Sequence, residues 1–288
     1  MVAPGVHVLS TPVAGLSSEP ALGRLERSFA RPLTIAFRGV TIAVSPADLG
    51  AGADVRQAVR SALSAAPGTR VALRVQVPHA TVETYVRGLA LRFDIPSISA
   101  RLLGGTAAGP IFRQTKTGLA VQTRPLVAAI EHELASGSRT PLALPVGIVQ
   151  PARTAADFGS VIVIDRQLHT LALFSGTRLV HRFGVATGQT VYPTPTGMFR
   201  IVDKQENPWW TPPSSSWAKG LKPVPPGPGN PLGTRWMGLD SPGVGIHGTP
   251  DDASIGYSAS HGCIRMHVPD AEWLFERVQI GTDVYIVD

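Results

Sequence analysis

Hydrophobic residues in the first half of the chain repeat with the periods of both strands and helices. Leu33, Ile35 and Phe37 alternate with smaller neighbours, and a second alternating run begins at Val40 after a turn. This pattern predicts a β-hairpin. A further alternating run predicts one strand at residues 71–77, and helical spacing predicts three helices at residues 54–66, 82–93 and 123–137. Asp54 is the predicted N-cap of the first helix, and Thr123 is that of the third.

These elements together indicate an α+β domain over residues 31–152. Residues 1–30 are rich in turns and are predicted to form an N-terminal leader segment. We assign the hydrophobic stripes of this half to its core, and no chemistry follows from them.

The pattern changes near Pro151, where small and polar residues indicate a linker. The chain beyond it alternates over short stretches and offers one good helix, which Pro269 and Asp270 open. The predicted strands lie at residues 161–165, 168–174, 179–186, 198–202, 244–247 and 284–287. Residues 158–288 are therefore predicted to form a mostly-β domain with a sandwich-like or barrel-like sheet.

A long loop at residues 204–232 interrupts these strands and holds eight prolines and three tryptophans. A loop of this length in a compact domain is commonly functional. We interpret Trp209 and Trp210 as candidate substrate-binding residues in a wall or lid. The alternative is an ordered structural loop whose tryptophans cover the core.

Composition and charge narrow the classes of function. Hydrophobic residues make up 43% and charged residues 16% of the chain, which is too apolar for a disordered protein. The net charge of +6 favours association with polyanions, which include nucleic acid, anionic lipid and an anionic cell wall. The basic residues form no run of five, which argues against a nucleic-acid-binding module. The sequence contains no apolar window that would span a membrane and no recognisable secretory signal, so by itself it indicates a cytosolic protein.

The only cysteine, Cys263, lies in a segment that indicates nucleophilic chemistry. A single cysteine excludes an internal disulfide and a cysteine-rich metal cage. Ser260, His261 and Gly262 precede it directly, and His247 ends a predicted strand 16 residues earlier. An imidazole within reach takes the thiol proton, and the resulting thiolate–imidazolium pair lowers the pKa of a thiol to between about 3.5 and 7.5. We therefore expect Cys263 to be a nucleophile.

Two histidines are candidates for the base. His261 is two residues from Cys263, so an extended segment would turn both side chains to one face, whereas His247 approaches from a separate strand. We favour His247 as general base and acid and give His261 a supporting role. Gly262 allows a sharp turn, and the backbone amides around Gly262 and Cys263 are the expected donors to an oxyanion. Arg265 either binds a substrate carboxylate or stabilises the fold.

A metal site is the other chemistry that these side chains permit. The potential ligands are His247, His261, Cys263 and His267, but their spacing matches no zinc pattern and no second cysteine is present. We therefore expect no metal site.

The residues around His247 and Cys263 closely resemble the catalytic signature of the L,D-transpeptidases of the YkuD type. The matching segments are Gly245-Ile246-His247-Gly248 and Ser260-His261-Gly262-Cys263-Ile264-Arg265-Met266. Further landmarks of the family follow in the expected order at residues 162–165, 186–188, 194–197, 231–235 and 281–284. The resemblance covers about residues 158–288. The residues before it resemble, with lower specificity, the peptidoglycan-binding domains that often precede such a catalytic domain.

The resemblance implies an α+β N-terminal domain followed by a mostly-β L,D-transpeptidase catalytic domain that acts on peptidoglycan. In this family the cysteine attacks the L,D-peptide bond before the terminal D-Ala of a tetrapeptide stem, and a thioester forms. An amine of a second stem then resolves the thioester and makes a 3→3 cross-link. Carried over, Cys263 is the nucleophile and His247 is the general base and acid, and the resemblance implies that no metal or organic cofactor is needed. The residues that support the site are then Ser260, His261, Gly262 and Gly248.

The resemblance also implies partners and a location. Stem peptides of peptidoglycan are the expected substrates, and β-lactams of the carbapenem type are the expected inhibitors. The expected location is extracytoplasmic and associated with the wall, with a signal peptide or membrane anchor that is absent from this sequence.

Two alternatives keep part of this interpretation. Water in place of an amine would resolve the thioester and give an L,D-carboxypeptidase. A non-catalytic wall-binding protein would keep the fold with an idle site, although the intact set of Cys, His, Gly and Arg argues against it. The N-terminal domain either positions the enzyme on the wall or acts as a spacer.

Overall fold

The computed structural model describes all 288 residues and contains five α-helices and 22 strands. The helices are α1 (Ser18–Phe29), α2 (Val55–Leu63), α3 (His79–Phe93), α4 (Thr123–Ser136) and α5 (Val268–Phe275). The strands are β1 (His7–Val8), β2 (Thr11–Pro12), β3 (Leu33–Phe37), β4 (Val40–Val44), β5 (Gly52–Ala53), β6 (Arg70–Val71), β7 (Val75–Gln76), β8 (Leu102–Thr106), β9 (Gly109–Phe112), β10 (Gly118–Val121), β11 (Leu142–Ala143), β12 (Val146–Val149), β13 (Ser160–Asp165), β14 (Thr170–Ser175), β15 (Arg178–Gly184), β16 (Thr187–Gly188), β17 (Gly197–Glu206), β18 (Arg235–Leu239), β19 (Gly245–Thr249), β20 (Ser258–Ser260), β21 (Ile264–His267) and β22 (Asp283–Val287). None of the helices has both the length and the apolar composition needed to cross a bilayer.

The chain divides into two compact units. One contains residues 1–97 and 117–150, and the other contains residues 98–116 and 151–288. This division differs from the predicted domains of residues 1–30, 31–152 and 158–288. The hairpin of β8 and β9 belongs to the second unit because Leu102 packs against its cluster of Val161, Val163, Ala172, Phe174 and Tyr285.

The N-terminal unit is an α+β fold with two cores. The predicted hairpin forms as β3 and β4, in which Leu33 lies opposite Val44. Asp54 caps α2, because its side chain accepts a hydrogen bond from the Gln57 amide at 3.0 Å. The core on α3 and α4 includes Leu33, Ile35, Leu49, Val86, Ile130 and Leu134.

Residues 1–30 form part of this unit rather than a separate leader segment. Helix α1 buries Ala21 and Leu25 in a second core, which it shares with β1 and α2. The sequence pattern concealed this helix because Pro20 and Gly23 interrupt it and its buried face is narrow.

Two further local predictions need correction. Residues 71–77 do not form one strand, because β6 pairs with β1 whereas β7 pairs with β5 in a different sheet. Thr123 is the first residue of α4 rather than its N-cap, which is Gln122.

An eight-stranded sheet dominates the second unit, in agreement with the predicted mostly-β fold. Its strand order is β15-β14-β13-β22-β17-β18-β19-β21. Ala186, which follows β15, bridges to Arg265 of β21. The two edges of the sheet are thereby joined, and the sheet is a nearly closed barrel.

Alternation along three neighbouring strands places the candidate site on one face of this sheet. Alternate residues of β18, β19 and β21 point into the core; they are Met237, Leu239, Ile246, Ile264 and Met266. The residues between them therefore project from the opposite face. His247 lies opposite Trp236 across β18 and opposite Arg265 across β21.

Candidate active site

Cys263 lies in a short loop between β20 and β21, and the segment that follows β15 fixes both ends of this loop. The Ala186 N–H donates to the Arg265 carbonyl and the Arg265 N–H donates to the Ala186 carbonyl, both at 2.9 Å. At the other end the Gln189 N–H donates to the Ser260 carbonyl at 3.0 Å. The nucleophile loop is therefore anchored before and after its three residues.

Inside the loop the backbone makes the sharp turn that the sequence predicts. Gly262 has a φ of +112°, which side chains other than glycine rarely adopt. The Gly262 N–H donates to Ser260 Oγ at 3.1 Å, and the Ser260 hydroxyl donates to the Cys263 carbonyl at 2.6 Å. The Gly262 amide, one of the two expected oxyanion donors, is thus already occupied. The Cys263 N–H makes no hydrogen bond within the chain and is the donor left for an oxyanion.

The thiol of Cys263 faces the start of β19. It donates to the Gly243 carbonyl at 3.3 Å, and the backbone of Gly245 also hydrogen-bonds to it. Gly245 and His247 share one face of β19 because side chains alternate along a strand. The sulfur therefore lies beside the backbone of residues that precede His247 by two and by four positions.

The His247 ring is buried, with 4% of its surface exposed. Its Nδ1 lies 2.6 Å from the Gly248 carbonyl, and because a carbonyl only accepts, Nδ1 carries the hydrogen. The predicted supporting residue Gly248 thus orients the imidazole. Burial lowers the pKa of His247 to about 4, the Gly248 hydrogen bond opposes this shift, and the charge of Arg265 adds to it. The ring is therefore neutral at pH 7, and its Nε2 has a free lone pair.

The thiol of Cys263 is also neutral in this environment. Burial raises the pKa of Cys263, and the hydrogen bond from the Gly245 backbone and the charge of Arg265 lower it less. This differs from the expected thiolate–imidazolium pair, because burial disfavours the charged form of each group. Both groups are therefore uncharged at neutral pH.

His261 lies apart from this pair. The turn at Gly262 breaks the extended geometry that would have placed His261 and Cys263 on one face. The exposed His261 ring instead stacks on Trp217, with 4.0 Å between ring centroids and an interplanar angle of 19°, and lies 5.0 Å from Tyr192. The observed position of His261 leaves His247 as the candidate base.

The predicted loop at residues 204–232 begins later in the structure, because residues 204–206 extend β17, and it reaches the Cys263 loop through Trp217. Trp217 contacts His261, and Trp210 lies behind it at 6.5 Å between ring centroids. Trp209, the other predicted substrate-binding residue, is 61% exposed. No local pattern marks Trp217, because its position depends on how the whole loop folds back.

A buried side chain holds this loop in place. Asn230 Nδ2 donates to the Pro208 carbonyl at 2.7 Å and to the Pro225 carbonyl at 3.1 Å. The backbones of Trp210 and Val224 also pair, at 3.0 and 2.9 Å. The loop is therefore ordered by its own hydrogen bonds.

Arg265 is mostly enclosed by the protein. Its guanidinium lies 3.6 Å from the Asp251 carboxylate, and its side chain is 22% exposed. It acts here as a positive charge near Cys263, His247 and His261, and it influences the pKa of each. His267 pairs with Asp252 at 2.7 Å, and no group of three or more His, Cys, Asp or Glu side chains is arranged to hold a metal ion.

Comparison with known proteins finds relatives of the second unit. The family model described as YkuD, the L,D-transpeptidase catalytic domain, matches residues 159–286. YqjB of Bacillus subtilis, named as a candidate L,D-transpeptidase, is 36% identical over 133 residues, which cover 44% of this chain and 70% of that protein. YkuD of Bacillus subtilis, named likewise, is 37% identical over 125 residues, which cover 43% of this chain and 64% of that protein. A crystal structure of an Enterococcus faecium L,D-transpeptidase mutant covers 93% of this chain and 100% of its own at 19% identity, with a TM-score of 0.40.

Proposed function

We propose that this chain, which belongs to the L,D-transpeptidase family, is a cysteine acyltransferase that cross-links peptidoglycan stems. The observation that carries the proposal is that the only thiol contacts the start of the strand that holds a buried, neutral imidazole. The Cys263 sulfur contacts the backbone of Gly243 and Gly245 just before His247, and only Nδ1 of the His247 ring is hydrogen-bonded within the chain. Membership of the family supports the peptide stem as the substrate.

The first half of the proposed reaction forms a thioester. The Cys263 sulfur attacks the carbonyl carbon of the L,D-peptide bond while His247 Nε2 accepts the thiol proton. The tetrahedral oxyanion receives a hydrogen bond from the Cys263 N–H, and such a donor contributes about 3–4 kcal/mol to the transition state. The C–N bond then breaks, the imidazolium returns the proton to the leaving amine, and D-Ala departs.

The second half transfers the acyl group to an amine. The side-chain amine of a second stem attacks the thioester carbonyl, and His247 Nε2 accepts the proton that the amine loses. The C–S bond breaks, and the proton passes to the sulfur, which restores the thiol. A neutral resting pair suits this cycle, because Cys263 and His247 begin and end uncharged.

The place of action and the role of the N-terminal unit follow as proposals. A peptidoglycan substrate implies that the enzyme works outside the cytoplasmic membrane, and the net charge of +6 favours contact with an anionic wall. We propose that the N-terminal unit positions the catalytic unit on the wall.

The test is analysis of products by mass spectrometry after incubation with a purified disaccharide tetrapeptide. We expect a dimer whose mass equals two donors less one D-Ala, and no dimer with Cys263→Ala. A tripeptide alone would replace the proposal with an L,D-carboxypeptidase. Unchanged donor, with folded protein and free thiol, would favour the non-catalytic wall-binding protein.

A further inference from the structure

We infer that Trp236 is a positioning residue that fixes the His247 imidazole and keeps water away from it. The inference rests on the proposed function, because it concerns the base of that reaction. Trp236 acts through His247 and has no assigned chemistry of its own.

The sheet register brings Trp236 and His247 together. The two residues lie directly opposite each other in the antiparallel pair of β18 and β19. Their rings stack with 5.8 Å between centroids and an interplanar angle of 29°. The Gly248 carbonyl already accepts a hydrogen bond from Nδ1 of His247, so the stacking adds a second constraint that fixes the plane of the imidazole ring.

The same indole also covers the backbone that meets the nucleophile. A Cβ at Gly245 would lie 2.3 Å from Cη2 of Trp236, so the ring occupies the space that any side chain at Gly245 would need. The backbone of Gly245 in turn hydrogen-bonds to the Cys263 thiol. One ring therefore packs against the base and against the segment that contacts the sulfur.

A second glycine, Gly238, also lies close under this ring. Gly238 lies opposite Gly245 in the register, and a Cβ there would be 2.9 Å from Nε1 of Trp236. The indole therefore lies over two positions, Gly238 and Gly245, that have no side chain. An aromatic face in this position displaces water from one side of the imidazole.

Several titratable or charged groups occupy the elements around His247 and remain unchanged in the variants below. They are Arg265 and His267 on β21, Cys263 before it, Asp251 after β19, Arg235 on β18, Glu206 on β17, and Asp270 and Glu272 on α5.

The experiment compares Trp236→Leu and Trp236→Phe with the unchanged full chain. The pH titration of His247 is followed by NMR, and the rate of acylation by a carbapenem is measured from pH 4 to 8. In Trp236→Leu we expect the pKa of His247 to rise from about 4 toward 6.5, because water reaches the ring. The acidic limb of the pH–rate profile shifts to higher pH by as much as the pKa of His247 rises. The maximal rate of acylation falls about tenfold or more because the base is misplaced. In Trp236→Phe we expect the pKa of His247 and the maximal rate of acylation to stay close to those of the unchanged chain.

Trp273→Leu is the matched control, since this tryptophan of the same unit packs on His181 and Phe183. We expect it to leave the titration of His247 unchanged. A folded Trp236→Leu protein in which His247 titrates as in the unchanged chain would overturn the inference. The titration needs no peptidoglycan, so a shifted titration without any cross-linked product would reject the proposed function and leave the inference intact.

A second pair of variants covers the case in which Trp236→Leu does not fold. Gly245→Ala places a Cβ against the indole and is expected to lower the melting temperature. In the double variant Gly245→Ala with Trp236→Phe the smaller ring leaves space for the added methyl, so we expect a smaller loss of melting temperature than the sum of the losses in Gly245→Ala and Trp236→Phe. Additive losses would show that the ring does not pack on Gly245 and would overturn the inference.

Discussion

Replacement of Cys263 by alanine is expected to abolish covalent capture of a carbapenem. The strained carbonyl of a β-lactam is an acyl donor, and Cys263 is the only thiol in the chain. Loss of the nucleophile in a comparable acyl-transfer enzyme costs about 10⁶-fold in rate. Intact-protein mass spectrometry should therefore show one adduct on the unchanged chain and none on Cys263→Ala.

Two controls make this result specific. Circular dichroism and the melting temperature establish that Cys263→Ala is folded. Alkylation of the unfolded, unchanged chain by iodoacetamide establishes that its thiol is not oxidised. An adduct of equal yield on Cys263→Ala would place the acylated group elsewhere and contradict the assignment.

Replacement of His247 by glutamine is expected to slow acylation by about 10² to 10⁴-fold, the usual contribution of a general base. Burial lowers the pKa of His247 to about 4, so the unchanged chain keeps a neutral base as the pH falls from 7 to about 5 and loses it near pH 4. In His247→Gln the remaining rate depends on ionisation of the thiol alone. It should therefore rise at alkaline pH, since burial raises the pKa of Cys263.

His181→Gln is a suitable control for this experiment. His181 is an exposed histidine of the same unit that packs on Phe183 and Trp273. We expect its pH profile to match that of the unchanged chain. An acidic limb near pH 6.5 in the unchanged chain would indicate that the His247 imidazole is solvated. An undiminished rate of acylation in His247→Gln would exclude His247 as the base.

The sequence predicted the catalytic unit in outline because its strands alternate clearly. The run at residues 161–165 matches β13, and the last strand matches β22. Strand β18 was missed, since it alternates Trp236 and Gly238 with two core residues and the glycine hides the period. That glycine is part of the space around the Trp236 indole. The departure from the usual strand pattern thus marks the candidate site.

The candidate nucleophile and the candidate base could be proposed from the sequence because each lies in a short segment whose pattern is visible locally. Gly262 marked a turn, and His247 ended an apolar run. The protonation state of the pair could not be read in the same way. It depends on burial by residues distant in the chain, and burial makes both Cys263 and His247 neutral.

Long-range packing was beyond the sequence patterns. The hairpin of β8 and β9 ends 48 residues before β13 and was predicted to belong to the N-terminal domain. Its Leu102 nevertheless packs against the cluster that contains Phe174 and Tyr285. The contact of Trp217 with His261 likewise joins segments more than 40 residues apart. Alternation and helical spacing report only neighbours along the chain, so neither contact leaves a local signal.

The most direct measurement asks whether Cys263 carries a thioester derived from a peptide stem. The protein is mixed with a tetrapeptide donor in the absence of an amine acceptor and is quenched in acid at early times. Its intact mass is then measured by mass spectrometry. We expect a mass increase equal to the donor less D-Ala, located at Cys263 by peptide mapping and removed by hydroxylamine. A folded protein with a free thiol that gains no mass at any time would contradict the proposed acyl transfer.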